Sequence, residues 1–291
     1  MKKIIAISVI ALAVFAACNP EDKTPKGANG KAVITVAQED LVAYLPMESA
    51  QPESGDITLA GEGAGDATCF AEGRTGKAYF GKAGSFLAYD LAENSPIKSL
   101  TALTLSFWVK YAELDYDHAP VPMFFDITNP SDACWGNVAV ALDRTATGAG
   151  YLVPKFQYQM EEGNCWKTTN WSGEEGSDTA DMKEGYNGAF AAGRWNHVIY
   201  TADGEAFHCY VNGVDVTPAS QVACPGAIVF KNATQIWVGG WPARYYDGYK
   251  WGDAWLGDLD EGAIDEIRLY KRALTADEAK ALYKAEVNNI N

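Results

Sequence analysis

Three histidines and no pair of cysteines spaced C-x-x-C are all that 291 residues offer for zinc or imidazole chemistry. Neither a thiolate zinc site nor a Ser-His-Asp or Cys-His nucleophile is legible. Basic residues are also few: 23 Lys and Arg stand against 38 Asp and Glu, a formal charge of −15. Such a chain repels phosphate backbones and anionic lipid, so nucleic acid is excluded as the expected partner and a neutral ligand fits better. No phosphate loop, dinucleotide fingerprint, EF-hand pattern or internal repeat appears. The apolar run Ile4 to Phe15 is shorter than the ~20 residues a spanning helix needs, so no permanent transmembrane segment is expected.

What is present favours strands. Nearly half the residues are hydrophobic (48%) and 12% aromatic, with 28 Gly and 12 Pro punctuating short apolar runs, as suits a large all-β domain. The first residues stand apart. Lys2 and Lys3 precede the apolar run, and Ala16-Ala17 make a small-residue cleavage site before Cys18. Phe15 to Cys18 resembles a bacterial lipobox, which implies a signal peptide over 1–17 and a lipidated Cys18. Glu21 and Asp22 resemble the acidic tag that directs some lipoproteins to the outer face of the outer membrane. The expectation is an outer-membrane protein facing the cell exterior and touching the membrane through its acyl chains alone. Cleavage removes two lysines and no acid, taking the charge from −15 to −17.

Residues 18–39 read as a flexible tether and 40–287 as one domain. The expected strands are Leu41–Glu48, two within Lys77–Leu91 joined at Gly81–Gly84, Thr101–Tyr111, Val121–Ile127, Val138–Leu142, Val153–Met160, Trp195–Tyr200, Ala206–Val211 and Ile236–Gly239. Asp203-Gly204 and Asn212-Gly213 are tight-hairpin dipeptides. The closing segment alternates, with Ile264, Glu266, Arg268 and Tyr270 on one face and Asp265, Ile267, Leu269 and Lys271 on the other. Thr275 and Glu278 then form a capping box that starts a short amphipathic helix.

The blocks LVAYLPME, GKAYFGKAGSFLAYDL, LTALTLSFWVKY, RWNHVIYTADGEAFHCYVNGVDV, IWVGG and IDEIRLYKRALTADEAKALY occur in an order that resembles the laminin-G-like (concanavalin A-like) jelly-roll family. The resemblance implies two antiparallel sheets packed face to face. It also implies a structural calcium between the opening and closing strands, with Glu48 and Asp265 at the matching positions, and a packed, structural His197.

The candidate ligand site is the stretch Trp241–Trp255, in which six of fifteen residues are Trp or Tyr without helical or strand period. Flat apolar rings match the C–H face of a pyranose while Asp and Arg bond its hydroxyls. Trp241, Tyr245, Tyr246, Tyr249 and Trp251 are therefore candidate sugar-contacting residues, joined by Trp166 and Trp171 from the long acidic loop 161–193. Cys134 and Cys165, each followed by Trp, are expected to bridge and hold that loop, while Cys209 reads as a small buried hydrophobe. Glu113 to His118 comes near a jelly-roll glycosidase motif, but His118 replaces the last carboxylate, and a solvated acidic loop is the simpler reading. The chain thus reads as a cell-surface binder of poly- or oligosaccharide rather than an enzyme. The alternatives are an adhesion or assembly module for a neighbouring surface protein, or a glycosidase or lyase on the same fold.

Overall fold

A computed structural model describes residues 34–62, 69–112, 120–132, 134–143, 152–168, 190–245, 256–260 and 262–288. Cys18, Glu113 to His118, Trp171, Tyr246, Tyr249 and Trp251, with the signal segment and most of the tether, lie outside these.

In chain order the strands begin with β1 (Leu41–Leu45), β2 (Ser54–Gly55), β3 (Ile57–Glu62), β4 (Phe70–Glu72), β5 (Lys77–Phe80) and β6 (Leu87–Leu91). Then come β7 (Leu103–Lys110), β8 (Val121–Ile127), β9 (Val138–Asp143), β10 (Val153–Gln159) and β11 (Asn164–Thr168). The last are β12 (Asn196–Ala202), β13 (Phe207–Val211), β14 (Val214–Asp215), β15 (Gln235–Val238), β16 (Leu256–Gly257) and β17 (Ala263–Tyr270), followed by helix α1 (Ala276–Asn288). Among the described residues they form two sheets. A nine-stranded one runs β14-β13-β12-β7-β17-β1-β2, with β5 also on β17 and β4 on β5. An eight-stranded one runs β11-β10-β9-β8-β15-β6-β3, with β16 on β8. All pairings are antiparallel except β16 with β8.

The sandwich follows from alternation. In β7, Leu103, Leu105, Phe107 and Val109 enter the inter-sheet core, while Thr104, Ser106 and Trp108 point away from it. β9 and β10 answer with Val138, Val140, Leu142, Phe156 and Tyr158. Rings lock the layers together: Phe156 stacks on Tyr200 at 4.9 Å and on Phe207 at 5.5 Å between centroids. The Asn212-Gly213 turn joins β13 to β14 with φ of 50° and 78°, the left-handed pair a two-residue hairpin requires.

Two expectations change. Residues 164–168, read as the start of a long loop, are strand β11, whose pairing with β10 brings Trp166 opposite Gln157. The alternation of the closing strand also breaks. The β17–β7 register shifts between Asp265 and Arg268, and Glu266 adopts φ 53°. This bulge turns Ile264 to the same side as Ile267 and Leu269, in the core, and leaves Asp265 with Arg268 and Tyr270 on the outer face.

Helix α1 covers that outer face. Its capping box forms as read: Glu278 donates its backbone N–H to Thr275 Oγ1 at 3.3 Å, and Thr275 N–H reaches Glu278 Oε2 at 2.8 Å. Ala279 and Leu282 pack on Ile199, Tyr210 and Tyr270. Beneath the helix, Glu286 is buried and accepts from Arg268 and, at 2.5 Å, from the Trp108 indole N–H. His197 Nε2 lies 3.3 Å from the same carboxylate and 3.0 Å from Ser106 Oγ, so this histidine is a packed structural residue. Arg268 also bonds Glu266 at 2.8 Å and covers the Tyr44 ring at 4.1 Å. Burial alone would raise the Glu286 carboxyl, but Arg268 and His197 outweigh it and hold it below the usual range.

Removing one member strands the other charge away from water. Glu286→Ala is expected to lower the unfolding free energy by about 3–5 kcal/mol in denaturant titrations near neutral pH. Because the folded carboxyl is depressed, the contribution is present above the ordinary carboxylate range and fades as pH falls through it, so wild type and variant should converge in acid.

Candidate functional site

The face of the eight-stranded sheet that points away from the core carries three of the described candidate residues, Trp166, Trp241 and Tyr245. Strand register sets a row across it: Ala88, Trp237, Asp126, Ala139, Gln157 and Trp166 from β6, β15, β8, β9, β10 and β11. The centre of the row is small, and the space above Ala139 and Ala141 is filled from the chain itself. Trp241, Cys134, Ala243 and Leu256 join Met123 and the two alanines in a second hydrophobic cluster, with Trp135 packed at its margin.

Trp241 therefore departs from its expected role. It is 0% exposed, and its indole N–H donates to the Val121 carbonyl at 2.7 Å. A ring so placed is a filler of the sheet face, not a surface for a sugar. Trp166 behaves otherwise. At 37% exposure it is one of two large hydrophobic side chains left open among the described residues, the other being Val214. Its ring meets Trp135 edge-on at 4.1 Å, Trp135 meets Trp241 at 5.0 Å, and the Lys155 ammonium lies 5.6 Å from the Trp166 centroid. Three indoles thus run from the buried filler to the surface.

The opposite flank is built by the single helical turn Pro242–Tyr245 after β15. Tyr245 is half-buried, its ring 4.4 Å from Phe86, which in turn stacks on Trp237 at 4.3 Å. The Tyr245 hydroxyl donates to Asp258 Oδ1 at 2.7 Å. Asp258 Oδ2 accepts from Gly84 N–H at 2.7 Å and pairs with Arg244 at 2.6 Å. Burial, then the hydrogen bond to Asp258, pushes the Tyr245 phenol far above its ordinary range, so it stays a donor. Arg244 is a third exposed and is the group here best placed to reach a ligand hydroxyl.

Glu48 and Asp265 do meet, at the turn Gly73–Lys77. Asp265 Oδ2 accepts the backbone N–H of Arg74 at 2.9 Å and of Thr75 at 3.1 Å, and Glu48 Oε2 accepts that of Lys77 at 3.1 Å. These donors take up one oxygen of each carboxylate, and no third acid, histidine or thiol gathers with them among the described residues. The pair braces the Gly73–Lys77 turn through its carboxylates. The expected Cys134–Cys165 bridge does not form. Cys134 lies in the outer-face cluster and Cys165 in the inter-sheet core, on opposite sides of one sheet. Cys209 is buried in that core as read.

Sequence reading missed Phe86, Trp135, Trp237, Asp126, Gln157 and Asn164. One signal was available: Asp126 is a lone carboxylate in the apolar run PMFFDI, where a charge demands a reason.

A family model described as the concanavalin A-like lectin/glucanases superfamily matches residues 88–280. No curated protein matches the chain. Among solved structures it is similar to the binding domain of Paraclostridial Mosquitocidal Protein 1, with TM-score 0.57 and 15% identity over 86% of this chain and 53% of that one. It is also similar to the botulinum neurotoxin serotype D ligand binding domain in complex with N-acetylneuraminic acid, with TM-score 0.52 and 13% identity over 86% and 52%. A third is botulinum neurotoxin type C, whose cell entry is described as dependent upon interaction with two ganglioside molecules, with TM-score 0.50 and 11% identity over 85% and 51%. The chain spans about half the length of these proteins, and at such identities the likeness is one of fold.

The two tryptophans separate in a stability measurement. Trp241→Ala is expected to cost about 3–5 kcal/mol by cavity formation, and Trp166→Ala about 1 kcal/mol or less, in chemical denaturation. Equal costs would show that Trp166 is a core residue too.

Proposed function

We propose, since the chain belongs to the concanavalin A-like lectin/glucanases superfamily, that it is a carbohydrate-binding module displayed outside the cell from a lipid on Cys18. The observation that carries this reading is Trp166, an indole kept open to solvent while backed by Trp135 and flanked by Lys155. An exposed, rigidly supported ring offers a flat apolar face for a pyranose at little entropic cost. Tyr245, Phe86 and Arg244 on the other flank extend the same reading, pairing apolar rings with a hydrogen-bond donor. The net charge of −15 favours a neutral glycan over a polyanion. The sugar-bound and ganglioside-dependent neurotoxin domains of like fold lend support of the weaker, fold-level kind. The anchor rests on the lipobox-like Phe15–Cys18 and the acidic pair behind it.

Titrating the protein with a panel of neutral and sialylated oligosaccharides is expected to change indole fluorescence for at least one member. Trp166→Ala should weaken that binding tenfold or more, about 1.4 kcal/mol, without moving the unfolding midpoint by more than its small packing cost. Silence across the panel, with a surface protein co-purifying instead, would transfer the role to protein adhesion. Growth on labelled palmitate should mark the wild type and not Cys18→Ala.

A further inference from the structure

Two thiols meet at one tyrosine hydroxyl. Cys165 stands directly opposite Tyr158 in the β10–β11 register, and both side chains enter the inter-sheet core. Cys224, in the segment between β14 and β15, is partly buried and packs against the same core. Both sulfurs lie within hydrogen-bonding reach of the Tyr158 hydroxyl.

That meeting is held from two sides. The Tyr158 hydroxyl donates to the carbonyl of Gly226, just beyond Cys224, at 3.4 Å. Lys167 lies on the same side of β11 as Cys165, and its ammonium donates to the carbonyls of Gln221 and Ala223, just before Cys224, at 2.7 Å each. Cys224 is thus bracketed by anchors that start from the immediate neighbours of Cys165. Its own N–H donates to the Glu205 carbonyl at 3.0 Å, and Ala223 bridges to Ala206, so the segment is fixed to the β12–β13 hairpin of the other sheet.

We propose that Cys165 and Cys224 are a disulfide-forming pair, a covalent staple between strand β11 and the segment that precedes β15. Among the described strands β11 ends the eight-stranded sheet, beside β10 alone. The bridge would tie that edge to the hairpin of the second sheet and fix the strand that carries Trp166. The reaction is exchange with an external disulfide. Cys224 is the entry point, because Cys69, Cys134, Cys165 and Cys209 are all buried. Its thiolate attacks the external disulfide, forming a mixed disulfide and releasing one thiol. The Cys165 thiolate then attacks the Cys224 sulfur and expels the second thiol, so the pair loses two electrons and the external disulfide is reduced to two thiols. Burial raises the Cys165 thiol, while its bond to Tyr158 and the nearby Lys167 ammonium pull the other way and ease its ionisation. In the cell the step needs an oxidising compartment and so rests on the exported reading above.

The test incubates the reduced, purified full chain with oxidised glutathione, alkylates it in denaturant and maps the non-reduced peptides by mass. A cross-linked Cys165–Cys224 peptide is expected, with the unfolding midpoint several degrees above that of the reduced chain. Cys224→Ser should fold, give no cross-link and lose the redox-dependent shift. Cys165→Ala should leave Cys224 as a lasting glutathione adduct. Both peptides fully alkylated in the wild type, either thiol bridged to a different cysteine, or an adduct on Cys224 that never resolves would each overturn the proposal. Because the oxidant is added, the outcome does not depend on export. A bridge formed in the tube but absent from protein taken from its native cells without reductant would count against the exported reading and leave the pair standing.

Discussion

The register break in β17 is the constraint on which the nine-stranded sheet depends. A strict alternation from Ile264 would have sent Ile264 and Arg268 to one face and Ile267 and Leu269 to the other, so one face would hold a charge inside an apolar core. One extra residue at Glu266 resolves the conflict, at the cost of a left-handed backbone worth about 1–3 kcal/mol. The strain is offset locally. Glu266 accepts from the Tyr44 hydroxyl at 2.7 Å and from Arg268, while Arg268 also engages Glu286 of helix α1. The same bulge turns Asp265 outward to hold the Arg74–Thr75 backbone. A single inserted residue thus fixes the core face, docks the terminal helix and closes the turn after β4.

Much of this architecture was legible and two parts of it were not, each for a physical reason. Strands with a clean period of two, such as Leu103–Lys110 with Leu103, Leu105, Phe107 and Val109, or β12 with Val198, Tyr200 and Ala202, announce themselves by an apolar face. The capping box at Thr275 is equally local. The bulge is not, because whether Ile264 sides with Glu266 or with Ile267 depends on the β7 partner, which no window of the sequence contains. β11 was hidden differently. Its five residues, NCWKT, alternate between a buried cysteine and an exposed tryptophan, and read alone they merge into the acidic loop behind them.

The candidate site divides along the same line. Aromatic density in Trp241–Trp255 and around Trp166 was visible, and rings did prove to gather on one sheet face. What composition could not decide was which ring faces inward. That depends on Ala139 and Ala141, two small side chains on β9 whose outward position leaves a hollow of indole size. A hollow on a sheet face is either a ligand groove or a place for the chain's own side chain. Here the helical turn after β15 delivers Trp241 into it and the Val121 carbonyl receives its N–H, so the chain fills its own groove. The rings left open then lie at the margins, at Trp166 and, half-buried, at Tyr245.

That self-filling also bears on Asp126. If the face were an open trough, the carboxylate would be hydrated and would need no other partner. Trp241 and Cys134 cover Ala139 and Ala141 while the Gly136 backbone presses on Asp126, and the side-chain oxygens of Asp126 and Gln157 are buried without a hydrogen bond. The covering that fills the groove also buries these polar side chains. The two features have one origin in the small residues of β9, and a larger side chain at Ala139 would disturb both at once.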